Sequence, residues 1–317
     1  MKPHTTRAYN SFNIHDETCK ITKTSETSRL RDEIGYYLDI EKTTFSHFFP
    51  RCFSHNNAKA PYKLELEYYD YDDLGAQMTR KRSCSPSEFA EKWETVAGSI
   101  KRILNLFSSC KNEALSSGDL RKKMYIDKTL HYQEELVTNF SYFKELNKNK
   151  EIKVNGKSIL NFDCIWGDIK NLINKTLING KPFSLIHGDM CFSNVLRSKR
   201  KGIIKFIDPR GSFGSKGVYG DPKYDIAKLL HSFGGGYEYI INDQFELKTN
   251  DGIEFRFFND NLEIIKNSFL KEEPFNDPAA KLIEGLIFIG MCSRHYDNPK
   301  RQIIMYATGL EILNDLL

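Results

Sequence analysis

One stretch, residues 184 to 211, constrains this chain more than any other. An apolar pair, Leu185-Ile186, leads into His187-Gly188-Asp189, and Asn194 follows that aspartate by five residues. Val195-Leu196-Arg197 and the segment Ile203 to Ile207 then have strand character, joined by the polar turn Ser198-Lys199-Arg200-Lys201-Gly202. The second strand ends on Asp208. Short neighbouring strands of this kind bring two carboxylates and an amide to adjacent strand ends, where side chains converge. Alone, an Asp-x-x-x-x-Asn spacing is a turn residue plus a cap. With His-Gly in front, a hairpin behind and an acid closing it, a purely structural explanation becomes the weaker one.

Phosphoryl transfer calls for such a set. A carboxylate must receive the proton of the attacking hydroxyl, and oxygen ligands must hold magnesium on the nucleotide phosphates. Asp189 suits the first role, and Asn194 and Asp208 suit the second.

His187-Gly188-Asp189, then Asn194, then Ile207-Asp208 resembles the catalytic segment of the aminoglycoside phosphotransferase and choline kinase families. The order base, amide, metal-binding acid is also that of protein kinases. Tyr224-Asp225-Ile226-Ala227-Lys228-Leu229 extends the likeness, because those families often carry a Tyr-Asp-hydrophobic-Ala segment shortly after the metal acid. The resemblance implies an α+β, bilobal protein-kinase-like fold: a small β-rich N-terminal lobe over residues 1–72 that binds the nucleotide, and a large, mainly helical lobe over 73–317 that carries catalysis and substrate binding. It implies ATP and Mg²⁺ as cofactors and a small-molecule hydroxyl as phosphate acceptor. The Ile207-Asp208-Pro209-Arg210-Gly211 form is similar to members found with bacterial surface-polysaccharide genes, so a sugar or polysaccharide precursor leads the acceptor classes. An aminoglycoside or choline-type acceptor comes next, and a non-catalytic nucleotide-binding scaffold is the alternative of a different class.

In such a lobe a hairpin lysine grips the phosphates. Residues 8 to 14 and 18 to 23 read as that hairpin, and Lys20 and Lys23 compete for the role. Lys23 is preferred, because Ile21 lies on the same strand face and can cover an adenine ring. The plainer alternative makes both lysines solvent-facing. A helix over 28–38 follows, with Leu30, Ile34 and Tyr37 or Leu38 in one stripe, and its Glu33 can pair with Lys23. Nothing glycine-rich precedes Ala8, so Thr5-Thr6-Arg7 is the candidate for covering the phosphates. Phe45 to Phe53 and Tyr62 to Tyr69 read as strands. The second runs into Asp70-Tyr71-Asp72-Asp73-Leu74-Gly75, the expected connection between lobes, which makes Glu67, Tyr68 and Tyr69 adenine-site candidates by position.

From Ser85 the pattern becomes helical. Ser85-Pro86-Ser87-Glu88 is a capping box, and Phe89, Trp93, Val96, Ile100, Ile103, Leu104 and Phe107 continue at helical spacing. A long helical region over 117–147, a hairpin around Asn155-Gly156, and a helix over 165–178 stopped at Asn179-Gly180 are expected next. Beyond Asp208, Arg210 either reaches the transferring phosphate or an acidic substrate, or braces its loop by a salt bridge. Asp225 is expected to hold the catalytic loop by accepting hydrogen bonds. His231 to Glu238 either lines the acceptor site or simply turns, and Arg294 lies near the junction of the last two helices.

Composition narrows the remaining classes. A net charge of +4 among 317 residues suits an anionic ligand in a cleft and does not call for nucleic acid. No apolar run reaches the length of a membrane span. Seven scattered cysteines, none at zinc-ligand spacing, point to reduced thiols and a cytoplasmic setting. Cys191 reads as a packing residue.

Overall fold

Alternating residues after position 10 pair as antiparallel strands, β1 (Asn10–His15) and β2 (Lys20–Ser25), with Phe12 opposite Lys23 and Ile14 opposite Ile21. Helix α1 (Arg29–Ile40) follows, then β3 (Cys52–Asn56) and β4 (Tyr62–Glu67), and the sheet runs β1-β2-β4-β3. The helix buries Leu30, Ile34, Tyr36, Tyr37 and Ile40, and Leu64 and Leu66 of β4 are buried with them in one core cluster. The computed structural model describes residues 10–114 and 117–317, so the Thr5-Thr6-Arg7 segment lies outside the described residues.

Phe45 to Phe53 is not a strand over its length, contrary to the sequence expectation. Ser46–Phe48 forms a 3₁₀ turn, and β3 begins only beyond Pro50, which has no N–H to give to a ladder. Phe48 and Phe49 turn instead onto Phe107 and Phe206.

The acidic connection becomes β5 (Asp72–Asp73), and Asp73 caps α2 (Leu74–Thr79) by accepting from the Ala76 N–H at 2.7 Å. Helix α3 (Pro86–Ser109) starts at the Ser85–Glu88 capping box and buries its aromatic and aliphatic stripe, including Trp93 and Phe107. Each large apolar side chain so buried contributes about 1.5–3 kcal/mol.

β6 (Lys111–Asn112) precedes the region expected to be one long helix. That region is divided into α4 (Ser117–Lys122), a π turn over Lys123–Asp127, α5 (Lys128–Asn139) and, beyond extended Phe140, α6 (Ser141–Leu146). β7 (Glu151–Val154) and β8 (Lys157–Leu160) form the expected hairpin, with Asn155 and Gly156 both at positive φ as its tight turn requires. Helix α7 (Phe162–Thr176) does not end at a left-handed Asn179-Gly180, since neither residue has positive φ. The Leu177 and Ile178 N–H groups both close onto the Ile173 carbonyl, which ends the helix earlier.

β9 (Phe183–Leu185), β10 (Val195–Arg197) and β11 (Ile204–Phe206) carry the His187–Asp208 stretch. β12 (Ser212–Phe213) and β13 (Ser215–Lys216) pair within the glycine-containing loop, and β14 (Tyr219–Gly220) closes it. β9 sits between β6 and β14, and β10 sits between β11 and β5. The rest is mainly helical: α8 (Pro222–Phe233), α9 (Tyr237–Ile241), α10 (Asn261–Leu270), α11 (Pro278–Met291) and α12 (Pro299–Asn314), with β15 (Phe245–Lys248) and β16 (Glu254–Phe257) as a hairpin before α10. The architecture is thus α+β. No helix among the described residues is long and apolar enough to cross a membrane.

Two core clusters hold these elements. One gathers α7, α11 and α12; the other joins α1 and β4 to α3, α8 and α10 through Met190, Phe192 and Phe206. Phe192 stacks on Trp93 at 5.4 Å, which seats the loop after Asp189 on the N-terminal third of α3.

Gly211 couples the two halves of the site. Its φ is +67°, and a Cβ there would lie 2.0 Å from the Asp32 carbonyl oxygen of α1. Gly211→Ala is therefore expected to lose about 2 kcal/mol or more of stability, from left-handed strain plus the clash. Denaturant unfolding checks this, and wild-type stability would show that the loop does not depend on that approach.

Candidate active site

A hairpin lysine, a helical glutamate and the acid after β11 meet at one point. The Lys23 ammonium lies 2.7 Å from Glu33 Oε2 and 3.0 Å from Asp208 Oδ1. Its side chain is 10% exposed, whereas that of Asp208 is 42% exposed, so the lysine is enclosed and the acid opens to the cavity. Burial pulls the Lys23 pKa down, but Asp208 and Glu33 outweigh it and hold the ammonium above its ordinary range. Burial pushes the Glu33 carboxyl up, against the pull of Lys23. Lys20, on the opposite strand face, pairs with Glu65 at 2.9 Å.

Asp208 itself adopts φ +55°, a left-handed conformation that Asp tolerates better than most residues. The chain turns sharply there. Arg210 N–H then donates to the His187 carbonyl, drawing the segment after β11 back against the loop after β9.

That loop is held from below by α8. The two oxygens of Asp225 accept from the His187 and Gly188 N–H groups, each at 2.7 Å, so its role is the one expected of it. Burial dominates the Asp225 carboxyl and raises it to about 7. His187 is fully enclosed, with Phe49 stacked parallel to its ring and Tyr36 and Phe206 at its edges. Its Nδ1 accepts from the Asp189 N–H, so Nε2 carries the proton and donates to the Ile207 carbonyl at 2.9 Å. The ring is thus used twice, as a neutral strut between the two acid-bearing segments.

Asp189 stands at the end of this strut. Its Oδ1 lies 2.8 Å from the ammonium of Lys228, which is almost wholly buried on α8. Asn194 Nδ2 donates to the Asp189 carbonyl at 2.8 Å, which fixes the amide orientation and directs Oδ1 away from that bond. Cys191 is buried, and burial pushes its thiol up, consistent with packing rather than reaction.

Lys23, Glu33, Asp189, Asn194, Asp208 and Lys228 border one cavity of about 990 Å³. Ile14, Ile21, Leu66, Leu196 and Ile207 supply apolar surface beside Lys23. Glu67 and Tyr69 also line it, but their side chains bond to each other at 2.5 Å, and the Glu67 and Tyr68 N–H groups are taken by the Arg51 and Cys19 carbonyls. Backbone recognition of a base in the connection would therefore have to begin at Tyr69 or use carbonyl groups. Among the described residues Arg210 forms no salt bridge. Its Nη1 donates to the Tyr224 hydroxyl at 2.9 Å, and its stem packs where a Gly188 side chain would otherwise sit. Of the segment 231–238, His231 is wholly buried between Tyr237 and Phe288, while Tyr237 and Glu238 reach the cavity.

The sequence reading passed over Lys228 and Lys128. Lys228 had a usable signal, because it follows Asp225 by three residues and shares its helical face. Lys128 had none: the π turn just before it shifts the helical phase, and it reads as one more lysine in a lysine-rich helix.

Asp208 offers a partly exposed carboxylate and Asn194 an oriented amide oxygen, a set that fits a magnesium ion completed by phosphate oxygens and water. Among the described residues no three His, Cys, Asp or Glu side chains form a self-sufficient metal cage. Comparison with known proteins adds no family, since no family model and no curated protein matches the chain.

The neutral state of His187 has a pH consequence. Burial lowers its pKa to about 4, below the ordinary value near 6.5. The unfolded chain therefore binds the extra proton first, and stability contributed by the neutral ring is lost as pH falls from about 6.5 to 4, on the order of 3 kcal/mol in full. His187→Gln should be less stable at neutral pH and show a shallower acid slope in that window. Equal slopes in urea titrations at pH 4, 5, 6 and 7 would remove His187 as the cause.

Proposed function

We propose that this protein is an ATP- and Mg²⁺-dependent phosphotransferase that moves the γ-phosphate to a hydroxyl of a small molecule. The observation that carries the reading is the convergence of Lys23, Glu33 and Asp208 with Asp189 and Asn194 on one cavity. A bilobal, protein-kinase-like division near residue 72 accompanies it. The four-stranded sheet with α1 would serve the nucleotide, and the helical remainder would serve the acceptor.

In this reading Asp189 orients the acceptor hydroxyl and takes its proton. The acceptor oxygen forms a new bond to the γ-phosphorus, the bond from that phosphorus to the β–γ bridging oxygen breaks, and ADP leaves. Lys228 fixes the Asp189 carboxylate from below, while Lys23, positioned by Glu33, holds nucleotide phosphate oxygens. Asp208 and Asn194 would hold magnesium, which when bound neutralises charge on the phosphates. Ile14, Ile21, Leu196 and Ile207 offer apolar cover for a base. A sugar or surface-polysaccharide precursor leads the acceptor classes.

Purified protein with Mg-ATP and a panel of sugars, sugar phosphates, amino alcohols and aminoglycosides should release ADP in an acceptor-dependent way. Asp189→Asn should lower kcat by about 10²- to 10⁴-fold when assayed below its unfolding midpoint, and that midpoint should also fall, because the buried Lys228 ammonium loses its carboxylate. Full activity in that variant would take Asp189 out of the chemistry.

A further inference from the structure

Among the described residues, three cations that line the cavity, Lys128, Arg210 and Arg294, form no ion pair with a carboxylate. Lys23 and Lys228 are each neutralised by acids within 3.0 Å. Lys128, Arg210 and Arg294 line the same cavity and are held by aromatic rings instead. Lys128 and Arg210 lie 5.9 and 5.8 Å from the centre of the Tyr224 ring, and Arg210 also donates to its hydroxyl. Arg294 lies 4.9 Å from the Tyr132 ring centre and donates to that hydroxyl at 2.7 Å. Its Nε is buried without a partner.

Such an arrangement orients positive charge without quenching it. Neutral tyrosines fix the side chains, and cation–π contact contributes only about 0.5–2 kcal/mol each. Gathering like charges at partly buried positions costs energy unless an anion joins them. Lys128 registers that cost: burial, with Arg210, Arg294 and Lys228 adding to it and Asp189 only partly opposing, drives its pKa well below the ordinary range. The cluster also comes from elements other than the nucleotide-side sheet. Lys128 starts α5, Arg294 lies in the turn after α11, and only Arg210 follows the segment of Asp208.

We infer that the phosphate acceptor is itself an anion, a polyhydroxyl compound bearing a phosphate or carboxylate group that Lys128, Arg210 and Arg294 bind while its hydroxyl faces Asp189. The word acceptor rests on the phosphotransferase reading; the anion site rests on the three cations. Arg210 and Arg294 supply planar donors that fit either anion, and Lys128 supplies a point charge. Tyr132 and Tyr237 give apolar faces for a sugar ring in the same space.

Calorimetry on the full chain with Mg–AMP-PNP present tests this, using glucose, glucose 6-phosphate and glucuronate as probes. At least one acidic probe should bind tenfold or more tighter than glucose. Lys128→Met/Arg294→Gln should erase at least tenfold of that preference, while Lys128→Arg/Arg294→Lys, which keeps the charges, should retain part of it. Mg–AMP-PNP affinity should stay within about threefold in both. No acidic preference, a preference that survives the neutral double variant, or a loss that falls on Mg–AMP-PNP instead would each overturn the inference. The two readings fail separately. Turnover without acidic preference sinks the anion site alone, and acidic preference without Mg-ATP turnover sinks the phosphotransferase alone.

Discussion

The enclosed ammonium of Lys23 is the point on which the site depends. It draws together β2, α1 and the residue after β11, three pieces separated by up to 185 positions in sequence. Remove that charge and Glu33 and Asp208 are left as like charges facing each other, one of them buried. Breaking a buried pair in this way typically costs about 3–5 kcal/mol, more than the pair contributes relative to apolar replacements. The arrangement is therefore better understood as positioning than as stabilisation: it holds Asp208 in a left-handed conformation with its carboxylate at the cavity wall. Gly211 completes the constraint, because only a residue without Cβ lets that segment approach the Asp32 carbonyl.

A second set of bonds places Asp189 with comparable economy. Helix α8 offers Asp225 and Lys228 on one face; the first grips the backbone of the His187-Gly188 turn, and the second grips the Asp189 side chain. His187 links that turn to the Asp208 side through its two ring nitrogens, and Tyr36 of α1 donates to the Ile186 carbonyl. Each acid thus sits on a loop too short to hold a conformation alone, and each loop is braced by a regular element. A catalytic geometry needs such support, since tolerance is on the order of half an ångström.

What could be read in the sequence was whatever local chemistry specifies. The capping box at Ser85, the stripe from Phe89 to Phe107 and the Asn155-Gly156 turn all follow from spacing, and the structure has the corresponding elements; the Lys23–Glu33 pairing expected from the resemblance is also present as a contact. The failures share a different origin. Phe45 to Phe53 has strand composition, but Pro50 and the long-range pull of Phe107 and Phe206 decide its conformation. The break at Phe140 and the π turn before Lys128 are likewise set by packing, and no local pattern announces them. Within the site, carboxylates in tight turns were legible because turns constrain few residue types. Cations arriving from distant helices were not, because lysine and arginine are ordinary on any helical surface.

The distribution of charge also bears on what can enter. Acids that face the cavity near Lys23 and Lys228 are compensated at contact distance, so they present little net field to an approaching molecule. The cations Lys128, Arg210 and Arg294 have tyrosine hydroxyls and rings rather than carboxylates as their contact partners, with Asp189 acting on Lys128 from farther away, so their field is less fully cancelled. A unit charge 4 Å from another interacts by about 4 kcal/mol at the effective dielectric of a protein surface. An ammonium group entering beside these residues would meet repulsion of that order from the nearest cation before making any favourable contact with Asp189. On the proposed phosphotransferase reading, acceptors of the aminoglycoside or choline type would therefore be disfavoured by the cavity wall, even though the sequence from His187 to Asp208 resembles that of their kinases. On the same reading, the loop would serve a transfer common to many acceptors, while the wall, assembled from α5, the turn after α11 and the residue two positions past Asp208, would select among them by sign of charge.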